Sequence, residues 1–145
     1  MNKLIDGIKV SGEIKEEIKN EIDFLVSSGE RRPSLTIVLV GKHSASKIYV
    51  KAKMKACKEV GIDANLISLN DNISEQDLLI LIKKLNNKKT EDGFIVQLPL
   101  PDHISVQKVI DSINSNKDID GFTNDNIGSI TSKKKKLMPA TGLGV

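Results

Sequence analysis

Apolar and polar residues follow two different periods along this chain, one typical of amphipathic helices and one typical of buried strands. A helical period covers residues 10–28 and stops at Gly29. The apolar face of this helix consists of Ile14, Ile18, Ile22 and Leu25. Residues 35–40, after Pro33, are a continuous apolar run, as expected for a strand covered on both faces. The first part of the chain therefore predicts a helix followed by a buried strand.

The same two periods continue through the rest of the chain. They predict a helix over 44–60 that Gly61 ends, a strand over 62–69, a helix after Ser74, a strand over 93–97, and a shorter helix that carries Val106, Val109, Ile110 and Ile113. Ser74 is expected to cap its helix with Asp77 at the capping-box position, and Ile73 to contact Leu78. The buried stripe of this helix is Leu78, Leu81, Ile82 and Leu85. Residues 117–122 predict a short fourth strand or an extended loop.

Strands that alternate with helices through short connections predict an α/β fold. We expect three layers, α/β/α, with a mostly parallel sheet in the middle. Ligands of such sheets bind beyond the carboxyl ends of the strands. The residues with the most suggestive chemistry follow strands in this way: residues 44–53, Gln97, Asp118 and Asp120. The sequence therefore predicts that they meet at one edge of the sheet.

Lys53 lies on the unexpected side of the helix over 44–60. Lys47, Lys51, Lys55 and Lys58 share one face of this helix, as a solvated stripe does. Lys53 points about 150° away from that stripe, among Val50, Ala56, Cys57 and Val60. Charged side chains are rarely placed toward a core without a partner. An apolar site favours the neutral amine, which general acid–base catalysis can use, whereas a nearby aspartate favours the charged form.

Two more polar residues share the face of Lys53. Ser46, Tyr49 and Lys53 are spaced i, i+3 and i+7, so we expect a polar seam whose groups exchange hydrogen bonds. The alternative is structural: Lys53 buries its stem and extends its ammonium group to water at a rim. Three polar residues on one apolar face favour a functional role.

Two further segments carry candidate chemistry. The segment from Gln97 to Pro101 has two prolines, which fix an extended backbone. It is either a rigid strand exit or an apolar surface beside Gln97, whose amide would orient the Lys53 amine. Alternation predicts that Asp118 and Asp120 face the same way. One of them satisfies turn amides, and the other binds a ligand or pairs with Lys53.

Composition limits the possible functions. The chain has 145 residues, with 39% hydrophobic and 28% charged residues, as in an ordinary single globular domain. Its net charge of +3 is small, and its positive and negative residues are interspersed along the chain. The charge therefore does not favour a nucleic-acid partner. Cys57 is the single cysteine, and His43 and His103 lack metal-ligand spacing. No stretch is long enough to span a membrane and the N-terminus has no signal pattern, so we expect a cytoplasmic protein with no bound metal.

Three motifs occur together in an order that identifies a family resemblance. The first motif begins with Tyr49-x-x-x-Lys53 and continues to Ile62. The second is the segment 96–101, and the third is the segment 117–121. With them, almost the whole chain resembles the catalytic domain of bifunctional methylenetetrahydrofolate dehydrogenase/methenyltetrahydrofolate cyclohydrolase. The resemblance implies an amino-acid-dehydrogenase-like N-terminal domain. It also implies NADP-dependent oxidation of methylene-tetrahydrofolate to the methenyl form, followed by hydrolysis to formyl-tetrahydrofolate.

The resemblance also implies residue roles. Lys53 matches the lysine that transfers protons in the cyclohydrolase step, and Gln97 matches the glutamine that positions it. Tyr49 matches the tyrosine that packs on the folate ring, and Asp120 matches the aspartate that binds the pterin edge. Ser46 matches a hydroxyl near the lysine. The residues that match the family's apolar surface along the folate are Val96, Leu98, Pro99 and Leu100.

The chain departs from the family pattern at its C-terminal end. We predict a folate-binding domain over residues 1–138 and the start of a hinge over 139–145, with Gly142 where relatives have proline. The family's NADP-binding Rossmann domain is absent from this sequence, and the usual homodimer forms through that domain. The expected partner is therefore a small folate. The alternatives are a non-catalytic folate-binding remnant or partner subunit, and a shikimate-type substrate domain, which the segment 97–101 disfavours.

Overall fold

The structure is a computed structural model that describes residues 6–131, 137 and 139. Five helices and three strands lie within the described ranges. In chain order they are α1 (Gly7–Ser27), β1 (Ser34–Val40), α2 (Ser44–Val60), β2 (Asp63–Leu69), α3 (Glu75–Asn87), β3 (Gly93–Gln97), α4 (Val106–Ser112) and α5 (Asn124–Thr131). The predicted bounds of α2 and β3 are confirmed, and those of α1, β1 and β2 differ by a few residues at their ends.

The three strands form one parallel sheet between two layers of helices. The strand order is β2-β1-β3, and both pairings are parallel. Alternate residues of β1 enter different cores because successive side chains of a strand point to opposite faces. Ile37 and Leu39 pack with Val50 of α2, whereas Val38 and Val40 pack with side chains of α3 and α4. The predicted three-layer α/β/α fold is confirmed.

Helix α1 is the least buried element. It packs on α2, and Ile22 is its buried residue. Ile14, Ile18 and Leu25, on the predicted apolar face, are 49%, 36% and 42% exposed. Of the predicted apolar face, only Ile22 is buried in the described structure, because α1 contacts the rest of the domain mainly through α2.

Local capping interactions fix the ends of two helices as the sequence predicted. Ser74 Oγ accepts a hydrogen bond from the Asp77 backbone N–H at 3.1 Å and donates one to Asp77 Oδ2 at 2.7 Å. Ile73 packs against the core cluster that contains Leu78. Helix α2 ends at Gly61, whose φ of 87° lies in the left-handed region that glycine adopts easily. These contacts set where α3 begins and where α2 turns into β2.

The segment 117–122 is a loop rather than a fourth strand. A single bridge pairs Asp118 with Phe94 of β3, and the Phe94 N–H donates to the Lys117 carbonyl at 3.0 Å. The loop is anchored from its other side, because Lys117 Nζ donates to the carbonyls of Leu85 and Lys88 at the end of α3. Helix α5, which follows the loop, was not predicted from the sequence.

Gly93 allows the loop 117–122 to approach β3. A Cβ atom added at Gly93 would lie 2.5 Å from Ile119 Cγ2 and 3.3 Å from the Lys117 carbonyl oxygen. We therefore expect Gly93→Ala to lower the free energy of unfolding by about 1–3 kcal/mol, as overpacking does, measured by urea denaturation. Gly12→Ala is the matched control. Its Cβ would meet nothing within 4 Å, so it should stabilise α1 by about 0.5–1 kcal/mol. An equal response of the two variants would contradict the packing argument.

Some predictions fall on residues that the structure does not describe. The boundary at residue 138 and most of the hinge over 139–145 lie outside the described residues. In the part of the chain that the structure does describe, no helix has the length and apolar character needed to cross a bilayer.

Candidate functional site

Lys53 extends from α2 toward the carboxyl end of β3. Its Nζ donates a hydrogen bond to Gln97 Oε1 at 3.3 Å and lies 3.7 Å from Asp120 Oδ1. The three side chains come from a helix, a strand end and a loop that are distant in sequence. The side chain of Lys53 is 34% exposed, so the amine lies at the rim of a cleft and not in the dry pocket that the sequence suggested. The side chain as a whole is therefore partly accessible to a ligand.

The amide of Gln97 has a defined orientation. Its Nε2 donates to the carbonyl of Leu98 at 2.9 Å, and its Oε1 therefore faces the Lys53 amine. Ser46, which is buried, donates from Oγ to the same Leu98 carbonyl at 3.3 Å. Ser46 thus contacts the strand exit rather than the lysine. The Leu98 carbonyl connects the Ser46 hydroxyl to the Gln97 amide.

The expected hydrogen bonds within the polar seam of α2 are not formed. Ser46 donates to Leu98 and Lys53 donates to Gln97. Tyr49 is 63% exposed. Helical spacing places the three residues on one face, but their polar atoms find partners on β3 and its exit because those groups lie closer in the folded chain. An exposed phenol at the rim leaves a flat ring surface available for stacking on a planar ligand.

Asp120 is the aspartate that faces Lys53. Burial raises the pKa of the Asp120 carboxyl; the ammonium of Lys53 opposes this increase, and the negative charge of Asp118 adds to it. The protonated form of the Asp120 carboxyl therefore persists to a higher pH than that of an ordinary aspartate. Such a group, next to a cation, suits recognition of hydrogen-bond donors on a heterocycle.

Asp118 has a structural role in the same loop. Its carboxylate accepts hydrogen bonds from the N–H groups of Gly121 at 2.9 Å and Thr123 at 2.8 Å, and from Asn126 Nδ2 at 2.9 Å. Burial alone would raise the pKa of Asp118, but these hydrogen bonds outweigh it and hold the pKa below its ordinary value. The two aspartates, which the sequence could not tell apart, thus have different partners.

The apolar residues of the strand exit divide between the cleft and the core. Val96 is buried and Leu98 half-buried, and both border a small cavity beside Asp120. Pro99 is exposed and follows a cis peptide bond. Leu100 packs against the core cluster under α3 and α4, so less of it is available to a ligand than the sequence suggested. Val96 is itself a buried member of that cluster, so Leu98 and Pro99 are the better candidates for ligand contact.

The sequence missed Asn126, which comes from the unpredicted helix α5. Its amide donates to the Ser115 carbonyl at 3.0 Å as well as to Asp118. Asn126 is 1% exposed and thereby fixes the start of α5 to the loop that carries Asp120. A helical period is present in residues 124–131, but its polar residues, such as Asn124 and Asn126, obscured it.

Other parts of the described structure are weaker candidates for a functional site. Across residues 6–131, no cluster of three or more His, Cys, Asp or Glu side chains could hold a metal ion. His103 Nε2 contacts the Ile73 carbonyl at 2.8 Å, and burial raises the pKa of the Cys57 thiol. An open concavity of about 1030 Å³ lies at the amino-terminal edge of the sheet, where Arg31 and Ser34 are among its lining residues. It contains none of the predicted site residues.

The described residues also lack a dinucleotide site. The connection from β1 to α2 contains one glycine, Gly41, and no glycine-rich turn follows β2 or β3 within these residues. A pyrophosphate needs a glycine-rich turn that opens a helix. The site can therefore hold a planar ligand beside an amine, an amide and a carboxyl, but it offers nothing that fits NADP.

Comparison with known proteins identifies the family of the chain. Residues 5–120 match the family described as tetrahydrofolate dehydrogenase/cyclohydrolase, catalytic domain. The chain belongs to this family. The match includes Lys53, Gln97 and Asp120, and it ends at the last of these.

Relatives of the chain carry the same family name. The bifunctional protein FolD of Porphyromonas gingivalis is 46% identical over 143 residues, which are 99% of this chain and 48% of the relative. The bifunctional FolD enzyme of Campylobacter jejuni has a structure with a TM-score of 0.94 and 44% identity, over 98% of this chain and 50% of that one. The Trypanosoma brucei enzyme, solved with NADP and an inhibitor, has a TM-score of 0.91 and 29% identity, over 97% and 48%. The chain spans about half the length of these relatives.

Proposed function

We propose that this chain binds folate in the cleft at the carboxyl ends of β1 and β3 and carries out the hydrolysis of methenyl-tetrahydrofolate to formyl-tetrahydrofolate. The observation that carries the proposal is the convergence of Lys53, Gln97 and Asp120 within a chain that belongs to this family. In this proposal Asp120 binds the pterin edge, Tyr49 packs on the ring, and Leu98 and Pro99 line the remainder, with smaller contributions from Val96 and Leu100.

Lys53 has the role of proton transfer. Water adds to the cationic methenyl carbon, one ring C–N bond then breaks, and the products are formyl-tetrahydrofolate and one proton. In its neutral form, the Lys53 amine can accept a proton from the attacking water, and the ammonium that results can deliver this proton to the leaving nitrogen. Gln97 keeps the amine in place through its Oε1, while Ser46 acts through the Leu98 carbonyl. The reaction needs no group beyond those present.

We propose the NADP-dependent oxidation of methylene-tetrahydrofolate for the whole protein. No residue of this chain is proposed to bind the nucleotide. NADP, when bound elsewhere in the protein, would accept the hydride. The residues of this chain would bind and orient the folate for that step. A cytoplasmic location, a homodimer and the division into a folate domain over 1–138 and a hinge over 139–145 remain predictions.

The alternative function is a folate-binding module without catalysis. A binding module would have the same folate affinity as the enzyme but would not accelerate hydrolysis. Substitution of Lys53 would then leave the rate of hydrolysis unchanged. The pairing of the Lys53 amine with Gln97 favours the enzyme, because a binding module has no need for an accessible amine held by a fixed amide. Folate titration followed by hydrolysis measurements separates the two functions.

Substitution of Asp120 tests the folate site. We expect Asp120→Ala to weaken tetrahydrofolate binding about 10- to 100-fold, because the variant loses hydrogen bonds to a charged group, as measured by isothermal titration. Asp63→Ala is the matched control, since Asp63 is an exposed aspartate at the amino end of β2. Equal affinities of wild type and Asp120→Ala would remove Asp120 from the site. Absence of folate binding by the wild type would reject the proposed function itself.

A further inference from the structure

A small cavity lies between β3, α4 and the loop that carries the two aspartates. Its volume is about 20 Å³. Three of its lining residues are polar, namely Asp118, Asp120 and Thr123, and the other lining side chains are apolar. A cavity needs about 10–15 Å³ to hold one water molecule, so this one accommodates a single water and is too small for a heterocycle.

Thr123 contributes a hydroxyl that lacks a direct partner. The residue is 5% exposed, and its Oγ1 is buried without a hydrogen bond to any of the described residues. Buried polar groups are nearly always hydrogen-bonded to protein or to ordered water. A water molecule in the cavity would supply the missing bond.

The two aspartates differ in their capacity to bind that water. The Asp118 carboxylate already accepts three hydrogen bonds, from the Gly121 and Thr123 N–H groups and from Asn126. The Thr123 side chain lies beside this carboxylate and helps to lower its pKa, but its hydroxyl does not reach it with the geometry of a full hydrogen bond. The Asp120 carboxyl has Lys53 as its charged partner, at 3.7 Å. Its oxygens therefore retain lone pairs for another donor.

We propose that this cavity binds one ordered water molecule that bridges the Thr123 hydroxyl and the Asp120 carboxyl, which makes Thr123 a positioning residue for folate binding. The inference rests on the proposed function for its effect on folate, but the water site itself does not. The water donates one hydrogen to Asp120 and is held by Thr123, so that Asp120 keeps one orientation toward the cleft. Two or more polar partners and sufficient volume are the conditions for a stable buried water.

The test combines crystallography with two substitutions of Thr123. A high-resolution crystal structure of the wild-type protein should show a water within hydrogen-bond distance of Thr123 Oγ1 and an Asp120 oxygen. Thr123→Val removes the hydroxyl and preserves the shape. This variant should lose the water and raise KM for the folate substrate about 3- to 10-fold with kcat unchanged, as for loss of one neutral hydrogen bond. Thr123→Ser keeps the hydroxyl and should retain the water and the wild-type KM.

Three results would overturn the inference. The first is a cavity without water density in the wild type. The second is an unchanged KM in Thr123→Val together with a raised Tm, since removal of a truly unpartnered hydroxyl stabilises a protein. The third is an equal loss in Thr123→Ser, which would show a packing role. If the wild type binds no folate, the proposed function and the positioning role fail together, while the crystal structure still decides the water site.

Discussion

Lys53→Met is expected to lower kcat for hydrolysis of methenyl-tetrahydrofolate by about 10²- to 10⁴-fold, the usual contribution of a general acid–base group. Methionine preserves the length and the apolar stem of the side chain but removes the amine that contacts Gln97 and Asp120. Because the Lys53 side chain is partly exposed, the fold should tolerate the change. The measurement is the rate of loss of the methenyl absorbance, with the free energy of unfolding determined in parallel.

Lys51→Met is the matched control for this prediction. Lys51 lies on the same helix, two residues earlier, and on the solvated face. Its replacement should leave kcat within about two-fold of the wild type, because surface substitutions away from special features have small effects. If Lys53→Met hydrolysed the substrate at the wild-type rate while still binding folate, the catalytic role of Lys53 would be rejected. A wild type that bound folate without accelerating hydrolysis would be a binding module.

Asp118→Ala should produce the largest loss of stability, about 3–5 kcal/mol in the free energy of unfolding. The substitution removes the side-chain acceptor of two buried backbone N–H groups and one of the acceptors of the Asn126 amide, which keeps its hydrogen bond to the Ser115 carbonyl. Each orphaned buried donor costs about 1–3 kcal/mol. The costs are not fully additive because the loop can relax. Asp23→Ala, at an exposed position of α1, is the control and should change stability by less than about 0.5 kcal/mol. Similar losses in both variants would show that the Asp118 hydrogen bonds contribute little.

The same residue predicts a pH dependence. The pKa of Asp118 is lowered in the folded state, so between this value and the ordinary aspartate pKa the unfolded chain binds more protons. Stability from Asp118 is therefore fully present above the ordinary pKa and is lost as pH falls through the lowered one. We expect the stability difference between wild type and Asp118→Asn to narrow as denaturation is repeated from neutral pH to about pH 3. A difference that stayed constant would contradict the shift.

Much of the fold followed from local patterns, and so did the candidate residues. The period of 3.6 residues placed Lys53 opposite the lysine stripe, and the structure puts its amine beside Gln97. The apolar run of β1 indicated burial on both faces, as observed. Helix α5 was missed because polar residues dominate its sequence, and tertiary contacts such as those of Asn126 hold it in place.

The sequence by itself determined the α/β class, the bounds of most elements and the face on which Lys53 lies, because these depend on residues a few positions apart. The tertiary structure decided that Asp120 rather than Asp118 faces Lys53, and that Ser46 donates to the Leu98 carbonyl. Lys53 and Gln97 are 44 residues apart in sequence, and no helical or strand period relates them. Their contact depends on how α2 packs against the parallel sheet, so only the packed molecule could assign these partners.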